Sequence, residues 1–261
     1  AKTDQMVDGI GEYGGTFRHV IGGRPEGFNW LAGQSQGWGG INIQLMESLT
    51  RLGPLWQIKP DEANPLPNLA KDWEWSSDRK SLTMNLIEGA RWSDGDIFDT
   101  EDIDFWWNDN VQDANVASRL PKDALGAGTT LEILGPYSFK FNFDEPKGNA
   151  VLAQLAYMGG APGPSHVMKP LHPAHNSDAT YESYANGMPA SVLPIVTLGA
   201  YVPVVHKVDE LMVMKRNPYY WKVDEECNQL PYYNETIYKL TSWDDRTTQA
   251  LAGTGDFSNM E

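Results

Sequence analysis

The sequence predicts an α/β fold with a smaller, mainly antiparallel insertion, on three observations. β-forming segments open and close the chain, at 16–21 and again at 201–205, 211–214 and 237–241. Mid-chain, Leu82, Met84 and Leu86 alternate with Ser81, Thr83 and Asn85, and Phe139, Phe141 and Phe143 alternate with Ser138, Lys140 and Asn142. Such one-sided alternation marks half-buried strands of an antiparallel sheet. Helical patterns lie between these strands, so the order of elements is mixed.

The first strand, rich in β-formers, runs from Thr16 to Ile21 and is followed by the Gly-rich stretch 33–40. Ile41, Leu45 and Leu49 recur every four residues, which predicts a helix face. Pro54, Pro60, Pro65 and Pro67 mark an irregular stretch. After the 82–86 strand, Asp94-Gly95 is a turn, and Asp99 or Thr100 can cap a helix whose first turn carries Glu101 and Asp102. Ile103, Trp107 and Val111 share a face of that helix, and Trp92, Trp106 and Trp107 are expected in the core. Gly135-Pro136 turns the chain into the 139–143 strand, with 131–134 able to pair back on it. A second helix is expected over 150–158, with Val151, Leu155 and Met158 on one side, then a connection at 159–176. A short helix is expected at 246–251.

Composition narrows the function. Among 261 residues there are 20 Lys+Arg against 35 Asp+Glu, a formal charge of −15, which excludes a basic surface for nucleic acid. No apolar run reaches the roughly 18 residues that span a bilayer. The single cysteine, Cys227, cannot form an internal disulfide. The sequence starts Ala1-Lys2-Thr3-Asp4, without a basic start and apolar run, which leaves a cytoplasmic protein or a mature exported one as readings.

Catalytic and metal motifs are weak. The acidic run at 92–118 holds eight acids and no base, but lacks EF-hand spacing and reads as a turn and a solvated helix. His172 and His175, with His166 nearby, have no carboxylate or thiol at a metal-ligand spacing. No nucleophile elbow, phosphate loop or dinucleotide fingerprint occurs, and acidic neighbours make Cys227 a poor nucleophile. Residues 33–40 are more informative. They follow a strand where α/β sheets place ligand sites, small residues let a ligand approach the backbone, and Trp38 offers a stacking face. A plain flexible loop explains the same residues equally well.

Longer stretches carry a resemblance. Pro67-Asn68-Leu69-Ala70, Trp73, Ser76-Ser77-Asp78 and Leu82-Thr83-Met84-Asn85-Leu86 are followed by Gly89-Ala90-Arg91-Trp92-Ser93-Asp94-Gly95 and Thr100-Glu101-Asp102-Ile103. Leu45-Met46-Glu47-Ser48-Leu49, Thr197-Leu198-Gly199-Ala200-Tyr201, Arg216-Asn217-Pro218-Tyr219-Tyr220-Trp221 and Ala250-Leu251-Ala252-Gly253 continue the pattern. Together they resemble the extracellular solute-binding proteins of family 5, the oligopeptide- and dipeptide-binding group of ABC importers. The departures are Ser48 and Cys227 where glycine is commoner, Asn234 where aspartate is commoner, and one residue fewer between Gly253 and Asp256.

The resemblance implies a periplasmic-binding-protein-like lobe of class II. Residues 1–45 and 166–261 would form an incomplete first lobe, and 46–165 the inserted subdomain. A second lobe, from the remainder of the polypeptide, would close on the ligand by a hinge. It further implies a periplasmic or extracellular, non-enzymatic protein without cofactor or metal, whose precursor could be lipid-anchored and whose partners are membrane permease subunits. The expected ligand is an oligopeptide, with an oligosaccharide as the alternative and a hydrolase as the rival of another class. Gln34, Ser35, Gln36, Gly37 and Trp38 would face the ligand, with further walls at Gly163 and Ser165 and at Gly199 and Tyr201. Asn217-Pro218 would end the strand that begins near Leu211.

Overall fold

A computed structural model describes residues 10–23, 25–32, 41–52, 65–156 and 158–258. Two main sheets organise these residues. The larger contains β1 (Thr16–Gly22), β8 (Tyr201–Lys207), β9 (Leu211–Arg216), β10 (Glu235–Thr241) and β11 (Phe257–Ser258), in the order β11-β1-β10-β9-β8. β1 runs parallel to β10 and β11, while β9 is antiparallel to β10 and β8. The helix α5 (Trp243–Leu251), capped by Ser242, packs back on β1. Asn217 follows β9 directly, as Asn217-Pro218 predicts.

The smaller sheet is wholly antiparallel. It holds β4 (Ala70–Trp75), β5 (Ser81–Leu86), β6 (Thr130–Gly135) and β7 (Ser138–Asn142), in the order β4-β5-β7-β6. Leu82, Met84, Leu86, Phe139 and Phe141 are fully buried on one face, as the alternation predicts. Against that face lies α1 (Thr100–Asp104), where Asp99 accepts from the Glu101 backbone and Asp102 caps reciprocally. From Phe105 to Val111 the helix widens into a π-helical segment. Asn110 Nδ2 donates to the Phe105 carbonyl at 2.9 Å, and the Gln112 backbone reaches Trp107, also at 2.9 Å. The widening keeps Ile103, Trp107 and Val111 buried, and Trp107 meets Phe141 edge-on at 4.9 Å.

Other expectations fail for one shared reason, the diversion of backbone groups to distant partners. The helix expected from Ile41, Leu45 and Leu49 is a single 3₁₀ turn, Asn42–Gln44, although all three residues are buried. Leu49 N donates to Gly160 O (3.0 Å), Thr50 N to Leu155 O (3.3 Å), and Leu49 O accepts from Ala70 N (2.9 Å), so the chain extends into β2 (Thr50–Leu52). β2 pairs with β3 (Pro65–Pro67) inside the stretch expected to be irregular. The helix expected over 150–158 stops early, as α2 (Ala150–Gln154), because Thr50 takes the Leu152 and Leu155 carbonyls. The connection at 159–176 contains α3 (Ser165–Met168) and a 3₁₀ turn, Lys169–Leu171. A further helix, α4 (Tyr181–Ala185), is closed by a Thr180–Ser183 capping box. One continuous apolar cluster joins the two sheets through Trp30, Trp92, Trp106 and Trp107.

Candidate functional site

The described residues on either side of 33–40 are held by polar contacts. On one side, buried Asn29 accepts from Leu31 N (3.1 Å) and Ala32 N (3.4 Å), forming an Asx turn, and donates to Tyr184 O (2.7 Å). Trp30 Nε1 donates to Pro162 O at 3.2 Å. Gly163 lets the chain cross Leu31, because a Cβ there would lie 2.5 Å from Leu31 Cδ1. On the other side, Leu45 O accepts from Leu198 N (3.2 Å) and Gly199 N (3.0 Å). A Cβ on Gly199 would lie 2.2 Å from Gln44 O, so only glycine fits. Asn217 holds this crossing, donating to Gly199 O at 2.9 Å.

The fold therefore brings 29–32 against 162–163 and 41–45 against 198–199, two crossings that make up a junction on either side of 33–40. Of the sequence-predicted site residues, Gln34, Ser35, Gln36, Gly37 and Trp38 lie outside the described residues. Gly163, Ser165, Gly199 and Tyr201 are all buried. Ser165 N donates to Asp102 Oδ1 at 2.8 Å, tying α3 to α1. Asp102 also accepts from Trp92 Nε1 at 3.0 Å, and burial raises its carboxyl above the usual range against these hydrogen bonds. Tyr201 donates to Tyr233 O at 3.2 Å, and burial raises its phenol. These four residues are packed into the fold and present no free side chains.

Two features escape sequence reading. Gln44 Oε1 is buried with no hydrogen-bond partner among the described residues. Glu47 accepts from Tyr220 (2.6 Å), Lys222 (2.7 Å) and Asn68 (2.9 Å), joining the 41–52 segment to the chain after β9. Burial, then Glu47, pushes the Tyr220 phenol well up. The pairing of Glu47 has no local signal, since its partners lie 21, 173 and 175 positions away.

The histidines go to separate partners. His166 contacts Asp94 at 2.8 Å and Asp96 at 3.1 Å, and His175 contacts Asp109 at 2.8 Å. His172 accepts from Ala174 N at 3.1 Å within an aromatic surround. Among the described residues, no group of three or more His, Cys, Asp or Glu is placed to hold a metal ion, and no helix is long and apolar enough to cross a membrane.

A mixed sheet carrying an antiparallel subdomain, with its crossings gathered at one junction, is the architecture of a solute-binding lobe. The family model for bacterial extracellular solute-binding proteins, family 5 Middle, matches residues 64–261, and the chain belongs to that family. It is 52% identical over 262 residues to the periplasmic alpha-galactoside-binding protein of Rhizobium meliloti strain 1021, covering 100% of this chain and 38% of that protein. It is similar to the structure of the periplasmic binding protein MelB from Agrobacterium fabrum C58 in complex with stachyose, at 50% identity and a TM-score of 0.93, covering 100% of this chain and 39% of that one. An oligopeptide-binding protein OppA matches at 26% identity and a TM-score of 0.76, over 96% of this chain and 39% of that one. The chain thus spans about two fifths of the length of these relatives.

Proposed function

We propose that this chain is part of the periplasmic substrate-binding component of an ABC importer, and that its ligand is an α-galactoside oligosaccharide. One observation carries the choice of ligand. The α-galactoside-binding relative and the stachyose-bound structure are 52% and 50% identical to this chain, whereas the peptide-binding OppA is 26% identical. The comparisons favour the sugar over the peptide, whose expectation rested only on the frequency of peptide binders in the family.

The residues are compatible with this ligand. Gln34, Ser35 and Gln36 are neutral hydrogen-bonding groups, and Trp38 has a face that can stack on a sugar ring. In this reading, 1–45 and 166–261 belong to one lobe, 46–165 is its inserted subdomain, and the rest of the polypeptide supplies the opposing lobe. The protein delivers its ligand unchanged to a membrane permease and performs no catalysis. Titration calorimetry on the protein at its natural length tests this, with stachyose against mixed oligopeptides. Heat with stachyose alone is expected, and heat with peptides alone would overturn the reading. Trp38→Ala is expected to weaken stachyose binding by about 2 kcal/mol with an unchanged melting temperature.

A further inference from the structure

A cavity of about 430 Å³ lies beside the junction, reaching Ala32. Its wall comes from Glu26, from Asn115 in the loop after the π-helical segment, and from Tyr181, Glu182 and Asn186 in and after α4. The volume is ordinary for a small-molecule site.

This wall is held in place from behind. Asp113 accepts from the Tyr181 hydroxyl at 2.7 Å, from Asn115 N at 2.8 Å and from Asn115 Nδ2 at 3.0 Å. Those hydrogen bonds outweigh burial and keep the Asp113 carboxyl below its ordinary range. Buried Tyr184, one turn of α4 away, donates to Asn110 Oδ1, and Asn110 is held by the Phe105 carbonyl. π-helical segments of this kind are frequent at functional sites.

The uncommitted groups are acceptors for the most part. Asn115 commits one of its two side-chain amide hydrogens to Asp113, which leaves Oδ1 and one N–H. Asn186 Nδ2 donates to Glu182 O at 2.9 Å, again leaving Oδ1 and one N–H. The carboxylates of Glu26 and Glu182 have no hydrogen-bond or ion-pair partner among the described residues, and no Lys or Arg is among the described residues lining the cavity. The wall offers mainly acceptors and negative charge, with one amide N–H from each Asn, so it suits a hydroxyl-rich ligand with no negative charge of its own. A peptide's terminal carboxylate would be repelled here.

We infer that this cavity is a hydroxyl-accepting subsite for one residue of a neutral oligosaccharide, with Asn115, Glu182 and Glu26 taking its O–H groups. The inference rests on the oligosaccharide reading above. Calorimetry with stachyose on the wild-type protein at its natural length, on Glu182→Gln and on Asn115→Ala tests both and separates them. If wild type gives no heat, the oligosaccharide reading fails and this inference with it. If wild type binds and each variant weakens binding about tenfold, the subsite stands, that being the usual size of one lost hydrogen bond. If wild type binds and both variants stay within about twofold of it, the reading survives and the subsite is overturned. Glu182 is exposed, so Glu182→Gln is expected to melt with wild type, which keeps a loss of binding from being a loss of fold. Tighter binding of a lysine-rich peptide than of stachyose, lost in Glu182→Gln, would also overturn the sugar assignment, because an ammonium donates to the same acceptors.

Discussion

The small antiparallel sheet and the junction beside 33–40 are both buried, yet they are held together by different forces. In the sheet, Leu82, Met84, Phe139 and Phe141 pack against Trp107 and Ile103, and the strands satisfy their own backbone groups. The stabilisation is apolar area, spread over many interchangeable contacts. The junction has little regular structure. Its segments are fixed by individual polar links, such as Asn29 to Tyr184 O, Trp30 to Pro162 O, Asn217 to Gly199 O and Glu47 to Lys222. A sheet built this way tolerates loss in proportion to volume. A junction built this way fails one link at a time, and each broken link orphans a buried group.

The largest effect belongs to the sheet. Phe141→Ala removes a fully buried ring that contacts Trp107, Phe139 and Phe143, and is expected to cost about 4 kcal/mol in urea unfolding. Phe141→Leu should recover most of it, since volume rather than geometry is what the site requires. If leucine is as damaging as alanine, the distinction between the two regions breaks.

Lys222→Met tests the junction. Lys222 and Glu47 pair at 2.7 Å with little exposure, so the substitution leaves a carboxylate buried with only Tyr220 and Asn68. The expected cost is about 3 kcal/mol, and adding Glu47→Gln should return part of it, because the uncompensated charge is then gone. Such recovery is foreign to the sheet, where a second deletion only enlarges the hole. Additive losses in the double variant would place the junction with the sheet.

The same contrast explains what could be read in advance. The strand alternation at 82–86 and 139–143, the cap at Asp99 and the buried tryptophans are local patterns, and the residues concerned sit as expected. The spacing of Ile41, Leu45 and Leu49 is an equally clean pattern, but Gly160, Leu155 and Ala70 claim the backbone groups that a helix would need. The resemblance implied ligand walls at Gly163 and Gly199, but nothing in the sequence marked them as the points where Leu31 and Gln44 cross. Gln44 gave no signal, and Glu47 stood in a family-like segment without any sign of its partners, because what it does depends on what lies opposite. Periodicity reports the face an element buries, and it is silent on which distant segment competes for the backbone.

A smaller effect sets the two regions apart by pH. His172 sits where the π-helical segment meets the connection toward the junction, edge-on to Tyr184 at 4.5 Å and to Phe105 at 6.0 Å. Burial lowers its pKa, against the pull of Asp109 and Asp113. The unfolded chain therefore takes up this proton first as pH falls through about 6.5, and the stability of the neutral folded form is lost below that point. His19, also lowered by burial, acts in the same direction. Unfolding free energy should decline from pH 7 to pH 5, and His172→Gln should flatten that slope without abolishing it. An unchanged slope in the variant would remove His172 from the account.

The smallest effect concerns Cys227, one of the places where the sequence departs from its family pattern. The turn at 224–228 is anchored by Asp224, which accepts from Glu226 N (2.9 Å), Asn228 N (2.8 Å) and the Tyr232 hydroxyl (2.6 Å). Burial raises that carboxyl, but its hydrogen bonds prevail and hold it below the ordinary range. With the turn so fixed, residue 227 must adopt φ 67°, in the left-handed region, and Cys227 does so while exposed. A side chain costs about 1–2 kcal/mol in that conformation, whereas glycine has no such penalty. Glycine also widens the unfolded ensemble, which opposes the gain by about 0.5–1 kcal/mol. Cys227→Gly is therefore expected to stabilise the protein by about 0.5 kcal/mol, read as a rise in the urea midpoint at constant slope. Cys227→Ala is the decisive control, because it also removes the thiol but keeps a Cβ. If alanine raises the midpoint as much as glycine, the benefit comes from losing sulfur rather than from relieving the backbone. If only glycine raises it, the turn imposes its conformation on whatever residue stands at 227.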